Sequence, residues 1–126
     1  MDPIRVLIVD DEAELVTALE ERLNLRGFEA SGVTTGAEAL ALLGDEPFDV
    51  VLLDLKMPGL GGLEVIRRIK EERPGLQVIL LTGWGSEEDA KKGQALGAYD
   101  YLMKPVKISE LVRVLLSACD RQEEGE

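Results

Sequence analysis

Val50-Val51-Leu52-Leu53-Asp54-Leu55-Lys56-Met57-Pro58-Gly59 is an apolar run that ends in one carboxylate and a turn. Its β-branched and leucine residues predict a strand buried on both faces, as in a parallel sheet covered by helices. Asp54 arrives where the run stops, and Met57-Pro58-Gly59 turns the chain soon afterwards. Ligands of open α/β sheets bind at the carboxyl ends of the strands. A single Asp at such a place serves equally well as a turn or cap residue, so its meaning depends on what the other strands end in.

Ile4 to Val9 reads as the first strand and runs into three consecutive acids, Asp10-Asp11-Glu12. Leu15, Val16, Leu19 and Leu23 then recur at helical spacing up to Gly27. Capping would account for one of Asp10 and Asp11, not for both. Phe28 to Ser31 is weakly apolar, as suits a strand near a sheet edge. Thr35 and Glu38 form a capping box opening a helix with Ala37, Leu40, Ala41 and Leu43, which Gly44 ends. Beyond the central strand, Leu63, Ile66 and Ile69 mark a third helix stopped by Pro74-Gly75.

Gln77 to Thr82 is a fourth apolar strand with a polar end, followed by the hinge Gly83-Trp84-Gly85. Ser86 caps a fourth helix whose apolar stripe is thin (Ala90, Ala95 and Leu96) and which contains Gly93, features of a movable element. Ala98 to Leu102 is the fifth strand and precedes Met103-Lys104-Pro105. Leu111, Val112, Leu115, Leu116 and Cys119 line the last helix, and residues 121–126 form a polar tail after a single domain over 1–120. This alternation predicts a three-layer, doubly wound α/β fold with a five-stranded parallel sheet. Right-handed crossovers bring the polar strand ends to one edge.

Composition narrows the function. With 14 basic and 25 acidic residues the net charge is −11, which argues against direct nucleic-acid binding and against an anionic membrane surface. No apolar stretch approaches the ~20 residues of a membrane span, and the amino terminus lacks the pattern of a signal peptide. A cytoplasmic location is expected, and the single cysteine, Cys119, fits it. The chain contains no histidine, which removes histidine acid–base chemistry, histidine zinc sites and a phosphohistidine on this chain.

The predicted edge collects Asp10, Asp11, Asp54, Thr82 and Lys104. Carboxylates gathered there repel one another and raise one another's pKa values. A magnesium ion, which takes one or two carboxylates together with waters and a phosphoryl oxygen, resolves that repulsion. Lys104 is a mobile point charge suited to an incoming phosphoryl oxygen, and Thr82 offers a hydroxyl donor. As a partly exposed amine, Lys104 is expected to contribute little to stability. No glycine-rich phosphate cradle follows any strand, against dinucleotides and nucleoside triphosphates.

Val9-Asp10-Asp11-Glu12, Asp54 within LLDLKMPGLGG, Thr82-Gly83 and Tyr101-Leu102-Met103-Lys104-Pro105 together resemble the receiver domain of bacterial two-component response regulators, over Arg5 to Leu116. The run GAYDYLMKP with LTGWGS upstream is most similar to receivers attached to sigma-54-dependent activators, or to freestanding relatives. The resemblance implies a flavodoxin-like (βα)5 fold with strand order 2-1-3-4-5. It implies that Asp54 is the phosphoacceptor, taking a phosphoryl group from a sensor histidine kinase or a histidine phosphotransfer protein. Asp11, Asp54 and the backbone carbonyl of Lys56 would ligate Mg2+, with Asp10 holding it through water; Mn2+ is able to substitute. Thr82 and Tyr101 match the switch pair, and Lys104 matches the family's lysine, with a cis bond to Pro105. Gly83 leaves room for the phosphoryl group, while Lys56 and Trp84 flank the path of hydrolytic water. The chain would catalyse its own phosphorylation and dephosphorylation without acting on an external metabolite.

Two other functions compete. A magnesium phosphohydrolase with an aspartyl nucleophile usually has a second Asp two residues on, where this chain has Lys56. A phosphate-independent pseudo-receiver would normally have lost an acid or the lysine. No output domain follows the last helix, so a freestanding receiver or one cut from a larger protein is expected. The output surface implied by the family is the fourth helix, fifth strand and fifth helix, with Lys91, Lys92, Lys107 and Arg113, docking a downstream effector or a second copy as a homodimer.

Overall fold

Segments rich in valine, isoleucine and leucine form parallel strands, and the segment after each forms a helix, in the computed structural model, which describes residues 2–83 and 87–120. The elements are β1 (Arg5–Val9), α1 (Ala13–Leu25), β2 (Glu29–Val33), α2 (Gly36–Asp45), β3 (Val50–Asp54), α3 (Gly62–Glu72), β4 (Gln77–Thr82), α4 (Glu87–Ala95), β5 (Asp100–Met103) and α5 (Ile108–Ala118). They make one parallel sheet in the order β2-β1-β3-β4-β5, the expected doubly wound fold.

Alternation along the strands produces two cores, one on each face. Val6 and Ile8 of β1, Val50 and Leu52 of β3, and Ile79 and Leu81 of β4 pack against α1 and α5, chiefly Val16, Leu19, Leu23, Leu111 and Leu115. Leu7 and Val9, Val51 and Leu53, and Val78 and Leu80 face the other way, toward Leu43 of α2, Val65, Ile66 and Ile69 of α3, and Ala90 of α4. Every residue of β3 is buried, as its uninterrupted apolar run requires.

Differences from the sequence-based boundaries lie where neighbours outweigh local pattern. The edge strand β2 starts later than expected and runs to Val33, because its ladder with β1 extends from Arg5–Glu29 to Val9–Val33. Phe28 instead enters the core ahead of the strand. At the opposite edge, β5 begins at Asp100, where pairing with Ile79 begins; Tyr99 lies outside it, its hydroxyl 2.7 Å from Ser117 Oγ on α5.

Thr35 caps α2 as expected, its Oγ1 accepting the Glu38 amide at 3.1 Å. On this helix Gly36, Ala39 and Leu43 are buried against the sheet side, while Ala37 and Ala41 face solvent. Gly44 does not stop it; the helix continues to Asp45. On α4 the buried residues are Ala90 and Gly93, whereas Ala95 and Leu96 are exposed. The proposed cap Ser86 and the ring of Trp84 lie outside the described residues, as does the tail at 121–126.

Candidate functional site

Strand register aligns the polar residues. Val9 pairs with Leu53, so Asp10 and Asp54 follow at the same level on adjacent strands. Asp54 pairs with Leu81, with Thr82 next, and Thr82 pairs with Met103, with Lys104 next. Among the described residues, the only buried polar or charged residues are Asp10, Asp54 and Thr82. Burying polar groups is costly, and here that cost is concentrated at one sheet edge.

Neither Asp10 nor Asp11 caps α1, whose N-cap is Glu12 and carries no side-chain cap bond. Instead Asp10 Oδ1 accepts the Glu12 amide at 2.9 Å, which fixes the carboxylate. Asp54 Oδ1 similarly accepts the Lys56 amide at 3.3 Å, a turn bond that brings Lys56 beside the acid. Carboxylate oxygens of Asp10, Asp11 and Asp54 lie within 4.8 Å of one another, with Asp11 exposed at the mouth.

Lys104 enters from the opposite side. Its amide donates to the Thr82 carbonyl at 2.7 Å, and its bond to Pro105 is cis. Nζ lies 2.7 Å from Asp10 Oδ2, 2.9 Å from Glu12 Oε1 and 3.6 Å from Asp54 Oδ2. The side chain is 20% exposed, so the lysine is more enclosed and more heavily paired than an amine at a strand end was expected to be. Burial alone would lower its pKa, but Asp10, Glu12 and Asp54 outweigh that and hold it above the ordinary lysine range.

Asp54 is displaced the other way. Burial first, and Asp10 second, push its carboxyl up to about 6, against the opposing pull of Lys104 and the Lys56 amide. Near neutral pH the group is mostly ionised, but it is a stronger base than a solvated aspartate.

Thr82 borders the site, whereas Tyr101 pairs with Leu80, two residues before that edge. The Thr82 hydroxyl donates to Met103 Sδ at 3.0 Å, a weak acceptor that leaves the donor easily redirected. Tyr101 is half-buried against the core on the α2–α4 side. At Gly83 an added Cβ would meet nothing within 4 Å, consistent with open space beside Thr82. Lys91, Lys92, Lys107 and Arg113 are exposed. The sequence reading missed the roles of Glu12 and Met103. Their signals were the third acid of Asp10-Asp11-Glu12 and the residue preceding Lys104.

A divalent cation fits this donor set. Asp10 Oδ2 is buried, and the Lys104 ammonium 2.7 Å away is shared with Glu12 and Asp54. Three neighbouring carboxylates with one shared ammonium are what a hard, oxygen-seeking cation satisfies.

Comparison with known proteins agrees with this arrangement. Residues 6–116 match the family model described as the response regulator receiver domain. The transcriptional regulatory protein CpxR of Klebsiella pneumoniae is 42% identical over 108 residues, covering 86% of this chain and 46% of that protein. The probable transcriptional regulatory protein TcrX of Mycobacterium tuberculosis is 37% identical over 110 residues, covering 87% and 47%. The chain thus spans about half the length of these curated relatives. Among solved structures, a CheY-like receiver domain protein from Methanospirillum hungatei superposes with a TM-score of 0.90 at 32% identity, covering 94% of this chain and 95% of that one. The receiver domain of NtrX from Brucella abortus gives 0.88 at 32%, covering 93% and 99%. This chain belongs to the response regulator receiver domain family of two-component signal transduction.

Proposed function

We propose that the domain is a phosphoacceptor switch in which Asp54 takes a phosphoryl group from a phosphohistidine on a sensor histidine kinase or histidine phosphotransfer protein. The observation that carries this reading is the convergence of Asp10, Asp11 and Lys104 on one buried, basic carboxylate. An Asp54 carboxylate oxygen attacks phosphorus in line, the P–N bond to the donor imidazole breaks, and an acyl phosphate results. Lys104 moves from its carboxylate partners to an equatorial phosphoryl oxygen, and the Thr82 hydroxyl turns from Met103 to donate to another. Tyr101, half-buried now, follows into the space that Thr82 leaves.

Asp11, Asp54 and the Lys56 carbonyl would hold Mg2+, with Asp10 holding it through water; when bound, the ion supplies positive charge to the phosphoryl oxygens. Hydrolysis by water at the same site resets the switch. The output is a changed surface on α4, β5 and α5 that docks an effector or a second copy. Since curated relatives named as transcriptional regulators are about twice as long, transcription is the output class favoured for a protein carrying this domain. Its own acidic charge leaves DNA contacts to another part of such a protein.

Incubation with Mg2+ and acetyl phosphate should add one phosphoryl mass to the parent and none to Asp54→Asn. An undiminished adduct in the variant, or a rate indifferent to chelator, would overturn the assignment. Acceptance of phosphate also separates this function from a pseudo-receiver, which would take up none.

A further inference from the structure

The phosphoacceptor reading leaves Glu12 without a role, yet its carboxylate accepts a hydrogen bond from Lys104 Nζ. Three carboxylates lie within 3.6 Å of Nζ: Asp10 at 2.7 Å, Glu12, which accepts a hydrogen bond at 2.9 Å, and Asp54 at 3.6 Å. The three differ in exposure. Asp10 is fully buried and fixed by the Glu12 amide, and the Asp54 side chain is 8% exposed. The Glu12 side chain is 62% exposed. Its backbone is held at both ends, the amide donating to Asp10 and the carbonyl accepting the Val16 amide at 3.1 Å, while the carboxylate reaches Lys104 from the solvent side.

We infer that Glu12 is a positioning residue that holds the Lys104 ammonium at the mouth of the site and competes with the phosphoryl group for it. The inference rests on the phosphoacceptor reading of Asp54. Lys104 has to surrender its hydrogen bond to Glu12 before it can meet a phosphoryl oxygen. An ion pair this exposed is weak, so it biases the lysine without locking it. Glu12 thereby sets how readily the phosphorylated state is reached, and a neutral side chain there shifts the balance toward it. The backbone bonds of residue 12 survive substitution, so α1 should keep its start.

The test compares Glu12→Gln with Glu14→Gln, which removes the same charge from an exposed residue two positions along the chain. Without metal, brief labelling by acetic anhydride and peptide mass analysis reads Lys104 directly, with Lys91 as internal reference. Glu12→Gln should label Lys104 about threefold faster than the parent, and Glu14→Gln should not. With saturating Mg2+, half-saturation by beryllium fluoride, a phosphoryl mimic, should fall by about the same factor in Glu12→Gln alone. Equal labelling in Glu12→Gln and the parent overturns the inference. So does an equal change in Glu14→Gln, which would mean a general field effect. A parent chain that binds no beryllium fluoride overturns the phosphoacceptor reading instead, and the labelling ratio still decides the Glu12 contact.

Discussion

Asp54 is held in a state that works against folding. Its carboxyl ionises at about 6 in the folded chain against 3.8 for an unperturbed aspartate, because burial and Asp10 disfavour the charge. Between these values the folded form binds more protons than the unfolded form, so stability falls as pH rises through that window. Above about 6 the cost is present in full. In chelator, Asp54→Asn should therefore be more stable than the parent near pH 8, by on the order of 2 kcal/mol. The difference should shrink toward zero as pH falls below about 4. Urea melts across that range provide the check, and a parent as stable as the variant at the alkaline end would contradict the account. Added Mg2+ should favour the parent, since Asn is a poorer ligand. At this scale the place of Asp54 was legible at its strand end, and its meaning only from what the other strands end in. Its raised pKa was legible only as a consequence of crowding, because burial depends on helices far away in sequence.

At the scale of elements, α4 differs from its neighbours in how it is anchored. Val16, Leu19 and Leu23 bury a continuous stripe of α1, whereas the buried residues of α4 are Ala90 and Gly93. The sequence presents Gly93 as a weakness in helix propensity; the structure shows that it also allows close approach to the sheet. A Cβ at that position would sit 2.3 Å from Cδ1 of the fully buried Leu80, so that side chain would have to shift within the core. Gly93→Ala would gain about 1 kcal/mol in helix propensity but incur overpacking of about 1–3 kcal/mol. Net destabilisation of about 1 kcal/mol is expected, and it should be relieved in a Leu80→Val background. A stabilised Gly93→Ala chain would show that α4 does not press on β4 in solution.

For the whole molecule, the proposed phosphoacceptor function implies a balance between two packings of the same chain. Phosphoryl charge on Asp54 would recruit Thr82 from β4 and Lys104 from the end of β5, the strands that flank α4 in sequence. With little buried on α4 to resist, the response should be a population shift concentrated between Gly83 and Tyr101. Beryllium fluoride with Mg2+ should change amide exchange there and leave α1 almost unaffected. Trp84, the only tryptophan, should change its emission beyond the effect of Mg2+ alone. Unaltered exchange over Gly83 to Tyr101 with the adduct bound would exclude this route.

How far the sequence alone reached follows from which interactions are local. Apolar period, strand-end acids and the Thr35–Glu38 cap are set within a few residues, so the fold class, the order of elements and the membership of the acidic cluster could be read directly. The ends of β2 and β5 could not, because partners in β1 and β4 define them. The buried face of α2 was likewise decided by its docking on the sheet, which turned Ala37 and Ala41 to solvent. Residues 12 and 104 stand 92 positions apart, and no local pattern says which acids a lysine will reach. That contact belongs to the tertiary structure, because only the packing of the strands brings the end of β1 within reach of the end of β5.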